Sequence, residues 1–136
     1  FEKFPGVAKY MEDMKVSAKE RGYVETELGR RRLVSEIQSN NPQLVKAGER
    51  MAINMPIQGL AADIMKLAML RAEKLVSRYD GRVKMLLQVH DELIFEVEEG
   101  LAEAFATEVK REMEAAYALR VPLIAETAIG KNWGEI

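Results

Sequence analysis

Two short alternating runs on either side of Gln88-Val89-His90-Asp91-Glu92 constrain the fold of this chain more than any other feature of its sequence. Upstream, within Arg82-Val83-Lys84-Met85-Leu86-Leu87, the side chains of Val83, Met85, Leu87 and Val89 alternate onto one face; downstream lies Leu93-Ile94-Phe95-Glu96-Val97. A period of two predicts a β-hairpin. Its tip is spent on His-Asp-Glu instead of Asn-Gly or Asp-Gly, the residues that best make a tight turn. Selection for something other than turn geometry would account for that choice.

The rest of the chain alternates helices with hairpins. Pro5 suits the first position of a helix, Val7, Tyr10, Met11, Met14 and Ala18 follow at helical spacing, and Gly22 supplies a left-handed stop, which predicts a helix over about 6–21. Tyr23–Thr26 and Arg30–Val34 flank Glu27-Leu28-Gly29 as a short hairpin. A loop through Ser39-Asn40-Asn41-Pro42 leads to a helix from about Gln43 to Tyr79, kinked at Pro56 by the missing donor and the clash with the preceding turn. After the second hairpin, Leu101, Phe105, Val109, Met113 and Ala116 form the apolar stripe of a helix lying on a sheet. Val121–Ile129 reads as a last strand, placed at an edge or start by Pro122. Without regular βαβ units, the expected class is α+β.

At 136 residues and 48% hydrophobic content the chain is expected to form a single unit, 1–136, around one ordinary core. It has no Cys and no apolar stretch long enough to span a bilayer, so a soluble intracellular protein with no membrane partner is expected. Phe1-Glu2-Lys3-Phe4 is not a natural translation start, and the chain reads as a piece of a longer one. Residues 1–90 carry a net charge of +5 and residues 91–136 one of −7. A polyanion would be drawn to the first part and repelled by the last helix, although two merely solvated faces would give the same pattern.

Three groups of residues could do chemistry. Arg50, Asn54 and Gln58 are spaced i, i+4, i+8 along about 12 Å of helix amid the apolar Met51, Ala52, Ile53, Met55 and Ile57. All three can donate to the purine N3 and pyrimidine O2 acceptors that every base pair offers in the minor groove; equally, Asn54 and Gln58 could repair backbone freed by Pro56 while Arg50 pairs with a carboxylate. Asp91 and Glu92, adjacent on an extended segment, point to opposite faces and cannot readily clamp one ion together, so Asp91 looks like half of a metal site or a turn-stabilising side chain. His90, the only histidine, leaves no room for a multi-histidine centre or an ordinary zinc site. Arg30, Arg31 and Arg32 could hold phosphates or simply protect a sheet edge.

Taken in order, Gly22-Tyr23-Val24-Glu25-Thr26 with Gly29-Arg30-Arg31-Arg32, Glu49-Arg50-Met51-Ala52-Ile53-Asn54-Met55-Pro56-Ile57-Gln58-Gly59 with Ala61-Ala62-Asp63, Gln88-Val89-His90-Asp91-Glu92-Leu93, and Val121-Pro122-Leu123 through Gly130-Lys131-Asn132-Trp133 resemble the C-terminal part of family A DNA polymerases, the bacterial DNA polymerase I type. The resemblance covers nearly the whole chain. It implies part of a polymerase palm, an antiparallel sheet with a catalytic hairpin packed against long helices, and a cytoplasmic enzyme of DNA replication and repair. Asp91 resembles the second catalytic aspartate, a ligand of two Mg2+ ions, and Glu92 its less critical neighbour. His90 resembles a residue near the primer terminus, and Arg50, Asn54 and Gln58 resemble helix residues that meet the minor groove of primer-template DNA.

The implied reaction is attack of a primer 3′-hydroxyl on the α-phosphorus of a deoxynucleoside triphosphate. The family's other catalytic aspartate and its fingers helix have no counterpart here, so the remainder of the polymerase chain is an expected partner and the 136 residues alone are not expected to polymerise. Val34-Ser35-Glu36 stands where many members have proline and aspartate, and Leu60 where a threonine is common. Two further readings remain at this point: a non-catalytic primer-template binding module or split-polymerase subunit, and a plain structural α+β domain.

Overall fold

The computed structural model describes residues 2–136; Phe1, the first residue of the run taken as the interior of a longer chain, lies outside them. The chain divides into two compact units, 1–63 and 64–136, and the division falls inside a helix and not at a linker.

In the first unit, helix α1 (Pro5–Arg21) starts with proline in its first turn and stops at Gly22, whose φ of 78° lets its N–H reach the Ala18 carbonyl at 2.8 Å. Strands β1 (Tyr23–Glu25) and β2 (Arg31–Leu33) pair antiparallel, Tyr23 opposite Leu33 and Glu25 opposite Arg31. Gly29, at φ 90°, makes the turn between them. A 3-10 turn, Ser35–Gln38, leads to helix α2 (Pro42–Val76). Asn41 caps this helix, its Oδ1 accepting from the Gln43 N–H at 3.0 Å. The core of the unit is Ala18, Val24, Val34, Ile37 and Ala52, with Met51 and Met55 packed against it. Val7 is half exposed, so the apolar stripe of α1 begins later than its spacing suggests.

Helix α2 has 35 residues, of which 42–63 belong to the first unit and 64–76 to the second. Among the described residues the buried apolar side chains form two clusters, one in each unit, where one core was expected from chain length.

The second unit closes α2 with a 3-10 turn, Ser77–Tyr79, and turns at Asp80-Gly81, both at positive φ. Strands β3 (Val83–Val89) and β4 (Glu92–Val97) then form an antiparallel pair. A two-stranded sheet is marginal alone in water and needs an apolar layer beneath it. Here Leu93, Phe95 and Val97 pack on Ala72, Leu75, Phe105 and Val109, the last two from helix α3 (Ala102–Glu114). Phe105 meets both Tyr79 and Phe95 edge to face, at centroid distances of 5.5 and 4.9 Å.

Two expectations fail locally. Strict alternation along β3 is broken by a bulge between Met85 and Leu87: Val83 and Met85 pair with Val97 and Phe95 of the core-facing set, whereas Leu87 and Val89 pair with Ile94 and Glu92 of the other set. One inserted residue, Leu86, reverses the face of every later residue in the strand. Leu86 and Leu87 are both about half exposed. The second failure is the last strand. Residues 121–130 form none; Pro122 lacks a donor, and both described sheets are two-stranded without it. The segment is tied instead by the Ala125 N–H, which donates to Glu114 Oε2 at 2.9 Å. The class is α+β, as expected.

Candidate functional site

The hairpin tip consists of two residues, His90 and Asp91, because Val89 pairs with Glu92. His90 has φ 54°, a left-handed backbone that glycine or asparagine would adopt with less strain. Gln88 supports it by donating from Nε2 to the His90 carbonyl at 2.9 Å. His90, Asp91 and Glu92 are all exposed, and among the described residues none of their side chains has an ion-pair or hydrogen-bond partner. An unengaged carboxylate at a strand end offers hard oxygen donors of the kind Mg2+ prefers. Among the described residues no three His, Asp or Glu side chains come together to hold an ion. Asp91 could thus supply one donor to a divalent metal ion, and among the described residues no further donors stand beside it.

In the first unit, Arg50, Asn54 and Gln58 share an exposed face of α2, while Ala52 on the other side is fully buried. The helix carries Pro56 inside it, yet neither Asn54 nor Gln58 makes a side-chain hydrogen bond among the described residues, and Arg50 has no carboxylate partner there. Lys15 takes the neighbouring Glu49 instead, at 3.6 Å. The backbone-repair alternative finds no such bond. What the helix presents is a row of three free donors with Ile57 exposed among them.

The three arginines of the ribbon are not equivalent. Arg30 is engaged within the chain: its Nε and Nη2 both donate to Asp63 Oδ1, at 3.0 and 2.7 Å. This hydrogen bond, reinforced by the Asp63 charge, raises the Arg30 pKa above its ordinary value. Thr26 joins them, its Oγ1 donating to Asp63 Oδ2 at 3.5 Å and accepting from the Arg30 N–H at 3.1 Å. Arg31 is also engaged, 3.5 Å from Glu25 Oε1 and stacked 4.6 Å above the Tyr23 ring. Only Arg32 of the three has no partner among the described residues. The physical reason is local: Asp63 is 8% exposed, and a buried carboxylate must be paired, so it captures the nearest fork.

Sequence reasoning assigned no role to Thr26, Gly59 or Asp63. The only signal was spacing, since Thr26 and Arg30 bracket the turn and Gly59 and Asp63 lie one helical turn apart. A Cβ on Gly59 would meet Thr26 Cγ2 at 2.6 Å and Arg30 Cδ at 3.8 Å, so the ribbon touches the helix backbone where Gly59 leaves room.

The sequence model of DNA polymerase family A matches residues 1–135. DNA polymerase I of Pseudomonas aeruginosa is 45% identical over 135 residues, which are 99% of this chain and 15% of that protein. The thermostable DNA polymerase I of Thermus aquaticus is 46% identical over 133 residues, 98% of this chain and 16% of that protein. Among solved structures, the POL domain of Pol1 from M. smegmatis in complex with DNA primer-template and dNTP superposes with a TM-score of 0.85 at 46% identity, covering 90% of this chain and 22% of that one. The chain spans about 15% of the length of the curated relatives it matches.

Proposed function

This chain belongs to DNA polymerase family A, and on that footing we propose that it forms part of the palm and adjoining helices of a DNA-dependent DNA polymerase. The observation that carries the proposal is the tip of the β3–β4 hairpin, where Asp91 presents a carboxylate that nothing in the described chain engages. A buried or paired carboxylate would have to give up its partner to take a metal; this one does not.

In this reading Asp91 holds Mg2+ together with donors from the rest of the polymerase, and Glu92, facing away from the core-facing side of the sheet, is secondary. Magnesium there would lower the pKa of the primer 3′-hydroxyl and stabilise the departing pyrophosphate. A bond forms between the primer O3′ and the α-phosphorus, and the bond from that phosphorus to the bridging oxygen of pyrophosphate breaks. His90 lies near the primer terminus in this reading, on a left-handed backbone whose carbonyl accepts from Gln88 Nε2. Arg50, Asn54 and Gln58 donate to minor-groove acceptors, which lie at nearly equivalent positions in every base pair and so report duplex shape without reading sequence. The deoxynucleoside triphosphate is held largely by residues outside these 136.

Asp91→Asn in the complete polymerase tests the assignment. Single-turnover incorporation is expected to fall by several orders of magnitude with primer-template affinity nearly intact, because the carboxylate serves the ions and not the DNA. Glu92→Gln is expected to cost less. Near-normal incorporation by the Asp91 variant would sink the proposal.

A further inference from the structure

The three consecutive arginines of the β1–β2 ribbon are chemically equal in sequence and unequal in structure. Arg30 is gripped by a buried carboxylate through two nitrogens, Arg31 is shared between Glu25 and the Tyr23 ring, and Arg32 carries its charge into solvent. A guanidinium already forked onto a carboxylate at 2.7 Å cannot offer the same fork to a phosphate without taking two charge-assisted hydrogen bonds from the buried Asp63. The grip also has a direction. Thr26 and Arg30 stand on the two sides of the Glu27-Leu28-Gly29 turn, and both bond the same carboxylate on α2. Gly59, one turn before Asp63 and next to Gln58, lets the ribbon come down onto the helix. The ribbon is thereby pinned at its turn, and β2 leaves that pin with Arg32 two residues on.

We propose that Asp63 is a positioning residue which, through Thr26 and Arg30, pins the ribbon to α2 so that Arg32 contacts a backbone phosphate of the bound DNA beside the Arg50–Gln58 row. The inference rests on the polymerase reading. Phosphate contacts fix register and orientation on a duplex without carrying sequence information, so a single rigidly held arginine at this place would set how the row meets the groove. Arg30, in this arrangement, makes no phosphate contact.

The experiment is equilibrium binding of one primer-template to the complete polymerase across a salt series, after magnesium-dependent primer extension by the wild-type enzyme. Each phosphate contact contributes about 0.9 to the slope of log affinity against log salt. Arg32→Gln is expected to lower the slope by about that amount. Asp63→Asn is expected to lower it in the same sense, and to lower it no further when added to Arg32→Gln. Asp63→Glu, which keeps the charge, is expected to hold the slope near wild type.

Arg30→Lys guards against an Asp63 variant that does not fold. It keeps the positive charge and loses the two-nitrogen grip, so it is expected to reduce the slope as Asp63→Asn does; were Arg30 itself the phosphate contact, lysine would preserve the slope. An unchanged slope for Arg32→Gln overturns the inference while leaving the polymerase reading intact. So does an Asp63→Asn enzyme that melts earlier but binds with the wild-type slope, since that is the signature of a merely structural ion pair. A wild-type enzyme unable to extend a primer overturns both.

Discussion

Gly59→Ala is the substitution whose outcome the structure specifies most narrowly. Two effects oppose each other. Alanine in a helix interior is favoured over glycine by about 1 kcal/mol. Against this, the new Cβ would lie 2.6 Å from Thr26 Cγ2, about 1 Å inside a comfortable carbon–carbon contact. Thr26 is 4% exposed, and its hydroxyl bridges the Arg30 N–H and Asp63, so its side chain cannot rotate away without leaving a buried carboxylate short of a donor. The ribbon must move instead. Overpacking of this kind costs about 1–3 kcal/mol, which leaves a net destabilisation of roughly 0–2 kcal/mol.

A reference and a rescue separate the two effects. Gly6→Ala in α1, where an added Cβ meets nothing within 4 Å, reports helix preference without the clash. Thr26→Ser deletes the offending methyl while keeping the hydroxyl. It is expected to destabilise the native chain by about 1 kcal/mol, for a lost buried methyl, but to stabilise the Gly59→Ala chain. Urea unfolding of the four proteins of the cycle, read as midpoint shifts at constant slope, measures the coupling. If Thr26→Ser costs the same in both backgrounds, the close approach of ribbon and helix is not what Gly59 provides.

In the complete enzyme, Arg50→Ala, Asn54→Ala and Gln58→Ala are expected to weaken primer extension and to change the ratio of matched to mismatched extension, with sequence preference flat; variants that lose only thermal stability would restore the backbone-repair alternative. Tyr10 donates from its hydroxyl to the Ile53 carbonyl at 2.9 Å, and burial raises its pKa. Its contribution to stability is therefore complete below the ordinary tyrosine value of about 10 and is lost as pH rises through the raised one. Tyr10→Phe is expected to cost about 1 kcal/mol at neutral pH and to flatten the alkaline fall in melting temperature; burial raises Tyr79 as well, so part of that fall remains.

Much of the architecture was legible because it rests on short-range rules. Pro5 and Gly22 bound α1 within a residue, Gly29 marks the first turn, and alternation finds both strands of the second hairpin. The bulge at Leu86 was not legible, since an apolar residue inserted among apolar residues leaves the composition of the run unchanged. The strand expected at Val121–Ile129 failed for a different reason: strand character in a segment is half a statement about a neighbour, and no neighbour lies in the described chain. Of the candidate site, local context singled out Asp91 and the Arg50–Gln58 row, whose exposure the structure bears out, while their roles were implied only by the family resemblance. The division among Arg30, Arg31 and Arg32 could not, because it depends on Asp63, thirty-three residues away and buried.

The bulge gives the β3 strand a parity. Val83 and Met85 are counted from the base of the hairpin and Leu87 and Val89 from its tip, and the two counts disagree by one because Leu86 stands between them without a partner. What Leu86 contributes is a place in the sequence more than a side chain, which is half in solvent. Replacing it leaves both counts as they are. Deleting it makes them agree, and every side chain from Leu87 to the tip, or else every one below it, must change faces. The direction in which His90 and Asp91 look out from the sheet is thus encoded as a number of residues, odd instead of even, and only an insertion or deletion can rewrite it.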